Sequence, residues 1–221
     1  MKKSSILLSS VVVSMMSGSA IAYEAGDIIV RAGIANTNPN ASSSEVRLGG
    51  TALPGSSVDV DDSTQLGLTA TYMLGDSLGI GLLASTPFKH DISAQGIGVS
   101  DVGSVKHLPP TLTLQYFPLD GDSKFQPYVG AGLNFTTFFS EKTSGELNAA
   151  LGQSTISLDD SFGLALEAGI DYSLNDNWLI NAAVWRLDLD TDAVIDSPAG
   201  QVTVDVEIDP WVYMLGIGYK F

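Results

Sequence analysis

The chain contains no cysteine and only two histidines. No disulfide framework and no thiolate metal site is open to it. Basic residues are also scarce: 10 Lys and Arg stand against 25 Asp and Glu, giving a formal net charge of −15. Nucleic acid is gripped by clustered Lys and Arg, so that class of partner is excluded. Long apolar runs are missing as well. Beyond Ala22 no stretch approaches the ~18 residues that a membrane-spanning helix needs. Yet only 16% of residues are charged and the mean hydropathy is +0.21. An oily chain without a spanning helix has one other way to live in a bilayer, a closed β-barrel whose backbone groups are all paired.

The N-terminus points to export. Lys2 and Lys3 precede a short apolar stretch from Ile6 to Met16, and Ala20-Ile21-Ala22 has the form of a cleavage site. Residues 1–22 therefore read as a secretory signal peptide, too short and too rich in serine for a membrane anchor. The expected domain is 23–221.

Period-two alternation then appears eight times, as barrel strands require. The segments are Asp27 to Ile34, Thr64 to Met73, Leu78 to Ser85, Thr111 to Phe117, Pro127 to Thr137, Ser161 to Tyr172, Trp178 to Leu189 and Trp211 to Phe221. The sixth is cleanest. Phe162, Leu164, Leu166, Ala168, Ile170 and Tyr172 share one face, and Ser161, Gly163, Ala165, Glu167, Gly169 and Asp171 share the other. Small residues dominate the second face throughout, as the narrow interior of an eight-stranded barrel demands. Short turns rich in Gly, Asp and Asn, at 74–77, 118–123 and 173–177, alternate with long connections near 35–63, 86–110, 138–160 and 190–209. The expectation is an all-β, eight-stranded antiparallel transmembrane barrel, with short periplasmic turns and long extracellular loops, in the outer membrane of a Gram-negative bacterium. The terminal Trp211, Tyr213, Tyr219 and Phe221 fit interfacial girdles. A final Phe also has the form of the signal that outer-membrane assembly machinery reads.

Several stretches resemble the OmpW family: "YEAGD" (23–27), "STQLGLTATYML" (63–74), "LLASTPFKH" (82–90), "HLPPTLTLQYF" (107–117), "FQPYVGAGLNFTTFF" (125–139), "DYSLNDNWLINAAVW" (171–185) and "DPWVYMLGIGYKF" (209–221). They run in order across residues 23–221 and thin out in 37–62, 140–157 and 192–206. The resemblance implies a narrow hydrophobic channel implicated in the passage of small hydrophobic molecules. It implies a constriction by two apolar side chains, here Leu83 and Trp185. Strand parity agrees, because both are exceptions to a small or polar inner face, and Leu187 and Leu189 extend the Trp185 row. A pocket for an apolar solute and a packed plug are both compatible with the residues alone; the resemblance favours the pocket.

Arg31, Glu167, Asp171, Lys220 and Asp27 also face inward by parity. Counting from the strand bases sets Arg31 level with Glu167, so these two are expected to pair as a seal, with Asp171 in the same network. No enzyme is expected. His90 and His107 have Ser85, Ser104, Asp91 and Asp101 nearby, but no nucleophile elbow, and they read as solvated loop residues beside the lipid head groups. "GAGLNF" lies in a strand with no helix after it, so it is no dinucleotide site. Asp188, Asp190 and Asp192 alternate like the start of a calcium loop but lack its Gly and final Glu. No metal or other cofactor is expected. "SGELNAALGQ" (144–153) could make a short helix. Pro87, Pro109 and Pro110 lack N–H donors at the outer end of one hairpin; a weak seam in the wall there and a loop shaped by prolines where the strands have already parted are both compatible with the residues. Expected partners are outer-membrane lipid and lipopolysaccharide, small hydrophobic molecules, and the assembly machinery through Phe221. The alternative function is a closed structural or receptor barrel whose loops bind external partners.

Overall fold

The computed structural model describes residues 23–120 and 123–221. The expected leader lies outside the described residues. In chain order the strands are β1 (Ile28–Asn38), β2 (Ser42–Ser43), β3 (Arg47–Leu48), β4 (Thr51–Ala52), β5 (Ser57–Val60), β6 (Ser63–Gly75), β7 (Leu78–Ser85), β8 (Phe88–Gln95), β9 (Asp101–Leu108), β10 (Thr111–Tyr116) and β11 (Phe125–Thr143). One helix follows, α1 (Gly145–Leu151). After it come β12 (Thr155–Leu158), β13 (Ser161–Ser173), β14 (Trp178–Leu187), β15 (Asp190–Asp196), β16 (Val202–Glu207) and β17 (Trp211–Lys220).

Eight of these strands close on themselves in the order β10-β7-β6-β1-β17-β14-β13-β11, with β11 pairing back to β10. Each corresponds to one of the alternating segments, and the expected in-out assignment holds. Leu82 is 46% exposed while Leu83 is 5% exposed, as opposite faces of one strand should be. Leu164, Leu215 and Ile217 stand bare on the outside, where lipid covers them. Glycines let the wall curl tightly. Gly33 and Gly216 face each other in register, and a Cβ on Gly33 would come within 2.2 Å of the Leu215 carbonyl oxygen.

The long connections carry strands of their own. Above the lipid-facing band they continue as strands and part into two sheets. On one side β5, β8, β9 and the upper half of β11 carry on from the barrel sheet. On the other, β12, β15, β16, β3 and β4 form a separate sheet, with β2 on β16. The sheets face each other over an apolar core that includes Val46, Ile92, Val105, Phe138, Leu147, Leu189, Val204 and Ile208. These strands lie within the long extracellular connections, and the alternation of Val, Thr, Val, Asp, Val, Glu, Ile over 202–208 is the local pattern that forms one of them.

The expected helix at 144–153 is present as α1. Ser144 caps it by accepting from the Leu147 N–H at 2.9 Å, Leu147 packs into the upper core, and Gly152 ends it at φ +85°. The junction between sandwich and wall is pinned at Asp209, whose φ is +41°. Its carboxylate accepts from Arg186 at 2.9 Å and from the Leu189 N–H at 3.1 Å.

Candidate functional site: a polar plug beneath an apolar chamber

The lower lumen is filled. Arg31 and Asp171 form an ion pair with both side chains out of contact with solvent. Arg31 Nε donates to Asp171 Oδ1 at 2.9 Å, and Nη2 donates to Oδ2. Asp171 also accepts from the Tyr23 hydroxyl at 2.8 Å and from Asn181 Nδ2 at 2.8 Å. Four donors on one carboxylate are what a buried charge needs to be tolerated. The guanidinium lies 5.3 Å from the centre of the Tyr128 ring, and that ring occupies the space a Cβ on Gly169 would need. Tyr23 meets Phe117 edge-on at 5.3 Å and Phe117 meets Tyr128 at 5.2 Å, so the aromatics complete the plug. Sequence reasoning missed Tyr23, Phe117 and Tyr128. Inward parity marks Tyr128 and Phe117, but nothing local to Tyr23 shows that the N-terminal residues turn into the lumen.

The expected direct pairing of Arg31 with Glu167 is corrected. Glu167 accepts from Thr113 at 2.7 Å and from Gln115 at 2.9 Å. It joins Arg31 only through intermediaries: Arg31 Nη1 donates to Thr71 Oγ1 at 2.8 Å, and Thr71 donates to Gln115 at 2.9 Å. Counting residues from each strand's base ignores the tilt and stagger of barrel strands. That stagger brings Asp171, four residues from Glu167, to Arg31. Asp27 and Lys220, both expected to face inward, meet at 3.2 Å near the lower rim.

Leu83, Trp185 and Leu187 are all buried and belong to one apolar cluster with Val212 and Met214. None of the three lines the chamber above. Leu189, two residues beyond Leu187, belongs to the upper core instead. The Leu83–Trp185 level is therefore the boundary between the plug and the sandwich.

Between the two sheets of the sandwich lies a cavity of about 170 Å³. Val58, Ile92, Val105 and Phe138 line it from one sheet, and Leu48, Ile156, Leu189 and Val204 from the other. An engineered apolar cavity of about 150 Å³ stays dry and accepts benzene, so this one has room for a single small ring. His90 and His107 line it too, which corrects the expectation of solvated loop histidines. They are only 2% and 6% exposed, and their rings stack at 4.8 Å with an interplanar angle of 7°. Phe88 stacks on His107 at 5.5 Å and also meets the His90 ring at 6.4 Å, so the three rings contact one another. Burial, reinforced by His90 alongside, pulls the His107 imidazole down to about 3. Burial lowers His90 as well, against the opposing pull of the Asp61 carbonyl and the carboxylates of Asp62, Asp61 and Asp91. Both rings are neutral at physiological pH.

The wall has an interruption beside this stack. Pairing of β7 with β10 ends at Leu83 opposite Thr111. Pairing of β8 with β9 begins at Phe88 opposite His107, one residue out of step. Between them, residues 84–87 and 108–110 are tied outward to other neighbours. The Thr86 N–H goes to the Leu66 carbonyl at 2.9 Å, and the Pro110 carbonyl accepts from Phe135 at 3.0 Å. Pro87, Pro109 and Pro110 have no N–H to offer across the gap. Position 111 lies opposite 83, so a covalent staple over this gap belongs at 86 and 108, not at 86 and 111.

The outer face of the second sheet is acidic. Asp192 stands directly opposite Asp205, and Asp190 opposite Glu207. Desolvation first, then Asp205 and Asp159, raise the Asp192 carboxyl.

Known proteins share this architecture. The OmpW family profile matches residues 24–221. Outer membrane protein W of Vibrio cholerae is 47% identical, over 96% of either chain. The crystal structure of the outer membrane protein OprG from Pseudomonas aeruginosa superimposes with a TM-score of 0.87 at 47% identity, covering 90% of this chain and 97% of that one. The structure of outer membrane protein AlkL in DMPC lipid bilayers shares the fold, with a TM-score of 0.69 at 23% identity over 97% of each chain. The lipid-facing belt, the closed eight-stranded wall and these likenesses agree: the chain belongs to the OmpW family, as a non-enzymatic β-barrel of the Gram-negative outer membrane.

Proposed function

We propose that the barrel passes small hydrophobic molecules from the outside into the membrane. They enter the chamber between the two extracellular sheets, are held above the Leu83–Trp185 level, and leave sideways into lipid at the gap between 84–87 and 108–110. The observation that carries this reading is an apolar cavity set directly over a lumen filled with paired charge. A hydrophobic solute gains by entering the first and would lose by crossing the second. The sideways route spares it that crossing. Arg31, Asp171 and Glu167 act in this scheme as a seal against water and ions. Trp185, Leu83 and Leu187 form the apolar floor that stops the solute.

The same plug also supports the alternative, a shut barrel whose outer surface binds external partners. Reconstitution separates the two. The barrel goes into vesicles with lipopolysaccharide in the outer leaflet, and transfer of a fluorescent apolar probe into the bilayer is timed. Acceleration by the barrel supports passage; no acceleration leaves the shut barrel. Cysteines at Thr86 and Leu108, which both sit on the outward-facing parity, close the gap when oxidised. Transfer should stop then and resume on reduction. Survival of transfer in the oxidised form would exclude this exit. Trp185→Ala should alter probe transfer more than Leu83→Ala. Arg31→Ala should raise ion conductance in planar bilayers.

A further inference from the structure

A cavity made to hold hydrocarbon alone would have no use for unsatisfied polar atoms among its walls, yet two of the residues that line this one carry them. His90 Nε2 and the Thr37 hydroxyl are buried, lack any hydrogen-bond partner, and both belong to residues lining the chamber. Buried polar atoms normally find partners, so two orphans at one cavity ask for an explanation. The residues are close in the wall. Thr37 on β1 lies opposite Ser63 on β6, and the Ser63 hydroxyl accepts from the N–H of Lys89, the residue before His90.

The chemistry of His90 is fixed by its other nitrogen. Nδ1 lies 2.5 Å from the carbonyl oxygen of Asp61. A carbonyl only accepts, so Nδ1 carries the proton. The ring is buried in apolar surroundings, which favours its neutral form. Nε2 is then an unprotonated acceptor on the far edge of the ring from Asp61. The flat face is held by His107, and His107 by Phe88, so the acceptor cannot swing freely. Among the described residues, the other unpartnered buried side-chain atoms, such as those of Thr69, Ser173 and Arg186, do not belong to residues that line the chamber.

We infer that the chamber is a binding site for a small apolar molecule bearing one hydrogen-bond donor, an O–H or an aromatic N–H, which His90 Nε2 accepts while the Thr37 hydroxyl borders the same polar spot. This rests on the passage reading above and sharpens it by naming the class of solute. The chamber takes the apolar body, and the pair of orphans selects for the polar tip. A site with a waiting acceptor discriminates by the bond a wrong ligand fails to make. His90 is also two residues from Phe88, the first paired residue above the wall gap. A molecule held by its donor at His90 is thus parked beside the exit.

The test uses 4-methylphenol and para-xylene, which have nearly the same shape and differ by a hydroxyl in place of a methyl. Binding to the full barrel in lipid nanodiscs is measured by calorimetry, after correction for partition into empty nanodiscs. The wild-type barrel should bind 4-methylphenol roughly fivefold to tenfold more tightly, the scale of one hydrogen bond. His90→Phe keeps the stack and removes the acceptor, and should level the two ligands. His107→Phe should leave the preference in place. Thr37→Val should reduce it slightly. In nitrogen NMR of the wild type, the His90 Nε2 resonance should move with 4-methylphenol and stay still with para-xylene. Equal affinity for the two ligands in the wild type overturns the inference without any variant, while leaving passage intact. If neither ligand binds and the barrel does not accelerate probe transfer, the passage reading falls and this inference falls with it.

Discussion

The two halves of this barrel solve the same problem with opposite chemistry. Both must fill a space enclosed by strands. The lower lumen does it with an ion pair, two tyrosines, an asparagine and a glutamate, every charge tied to a partner. The extracellular sandwich does it with Val, Ile and Leu from two sheets and leaves a void. A charged network is directional: each member fixes the next, and removing one strands the others. Apolar packing has no such geometry and can part and close around a guest. The rigid half is therefore suited to sealing and the yielding half to receiving.

That contrast can be broken at its strongest point first. Asp171→Ala would leave Arg31 buried without its counter-ion and deprive Tyr23 and Asn181 of their acceptor. A loss of about 3–5 kcal/mol is expected, read from urea unfolding in detergent. Replacing the pair together, Arg31→Met with Asp171→Leu, should cost far less, since no lone charge remains. If the double variant is as unstable as the single, the network is not what holds the lower half.

In the upper half, Leu189→Ala should cost about 2–3 kcal/mol, toward the low end for a buried leucine. Leu189 already borders a void, so it has fewer contacts to lose. Hydrogen exchange should show faster opening of β15 and β16 while the wall strands stay protected. Uniform loss of protection would mean that the two halves unfold as one.

Acid should act on the upper half selectively. His107 falls from the ordinary 6.5 to about 3 on folding. Between those values the unfolded segment binds a proton that the folded one refuses, so stability rises with pH. The stabilisation is complete above 6.5 and is lost as pH falls toward 3. The protection factors of β9 amides, measured against the intrinsic exchange rate at each pH, should fall from pH 7.5 to pH 5 in the wild type and much less in His107→Phe. Unchanged protection would mean that the histidine pair is not neutral when folded.

The smallest effect belongs to the acidic outer face. Like charges directly across a sheet repel. Asp192→Asn should therefore stabilise the sandwich by about 0.5 kcal/mol, and the gain should shrink in high salt. A loss of stability would show that Asp192 has a role repulsion does not describe.

Much of this was legible in the residues. Period-two parity in the wall assigned Leu82 to lipid and Leu83 to the interior, and bilayer physics makes that alternation binding. Trp185, Leu187, Arg31 and Asp171 were found to be interior on the same ground. Parity says which way a side chain points but not whom it meets. That is why Arg31 was matched to Glu167: strand stagger is a property of the closed sheet, not of any one strand. The sandwich escaped for a different reason. Val202, Val204, Val206 and Ile208 alternate as cleanly as any wall strand, but a topology with long outer loops left no place for them. His90 and His107 were invisible as a pair because their stacking depends on the β8–β9 register and its one-residue shift.

The closing seam of the wall carries a consequence for biogenesis. The first wall strand bonds to the last: Ile29 lies opposite Lys220, and the Phe221 N–H donates to the Ile28 carbonyl at 2.9 Å. The ring cannot shut until β17 has been delivered. Until then β1 and β17 each present a bare edge, open to pairing with any other strand. Contacts that span the entire chain are also the slowest to form. A nascent barrel of this design must cross the periplasm unclosed and shielded, and a truncation of even a few residues at the C-terminus should strand it there as an open, aggregation-prone sheet.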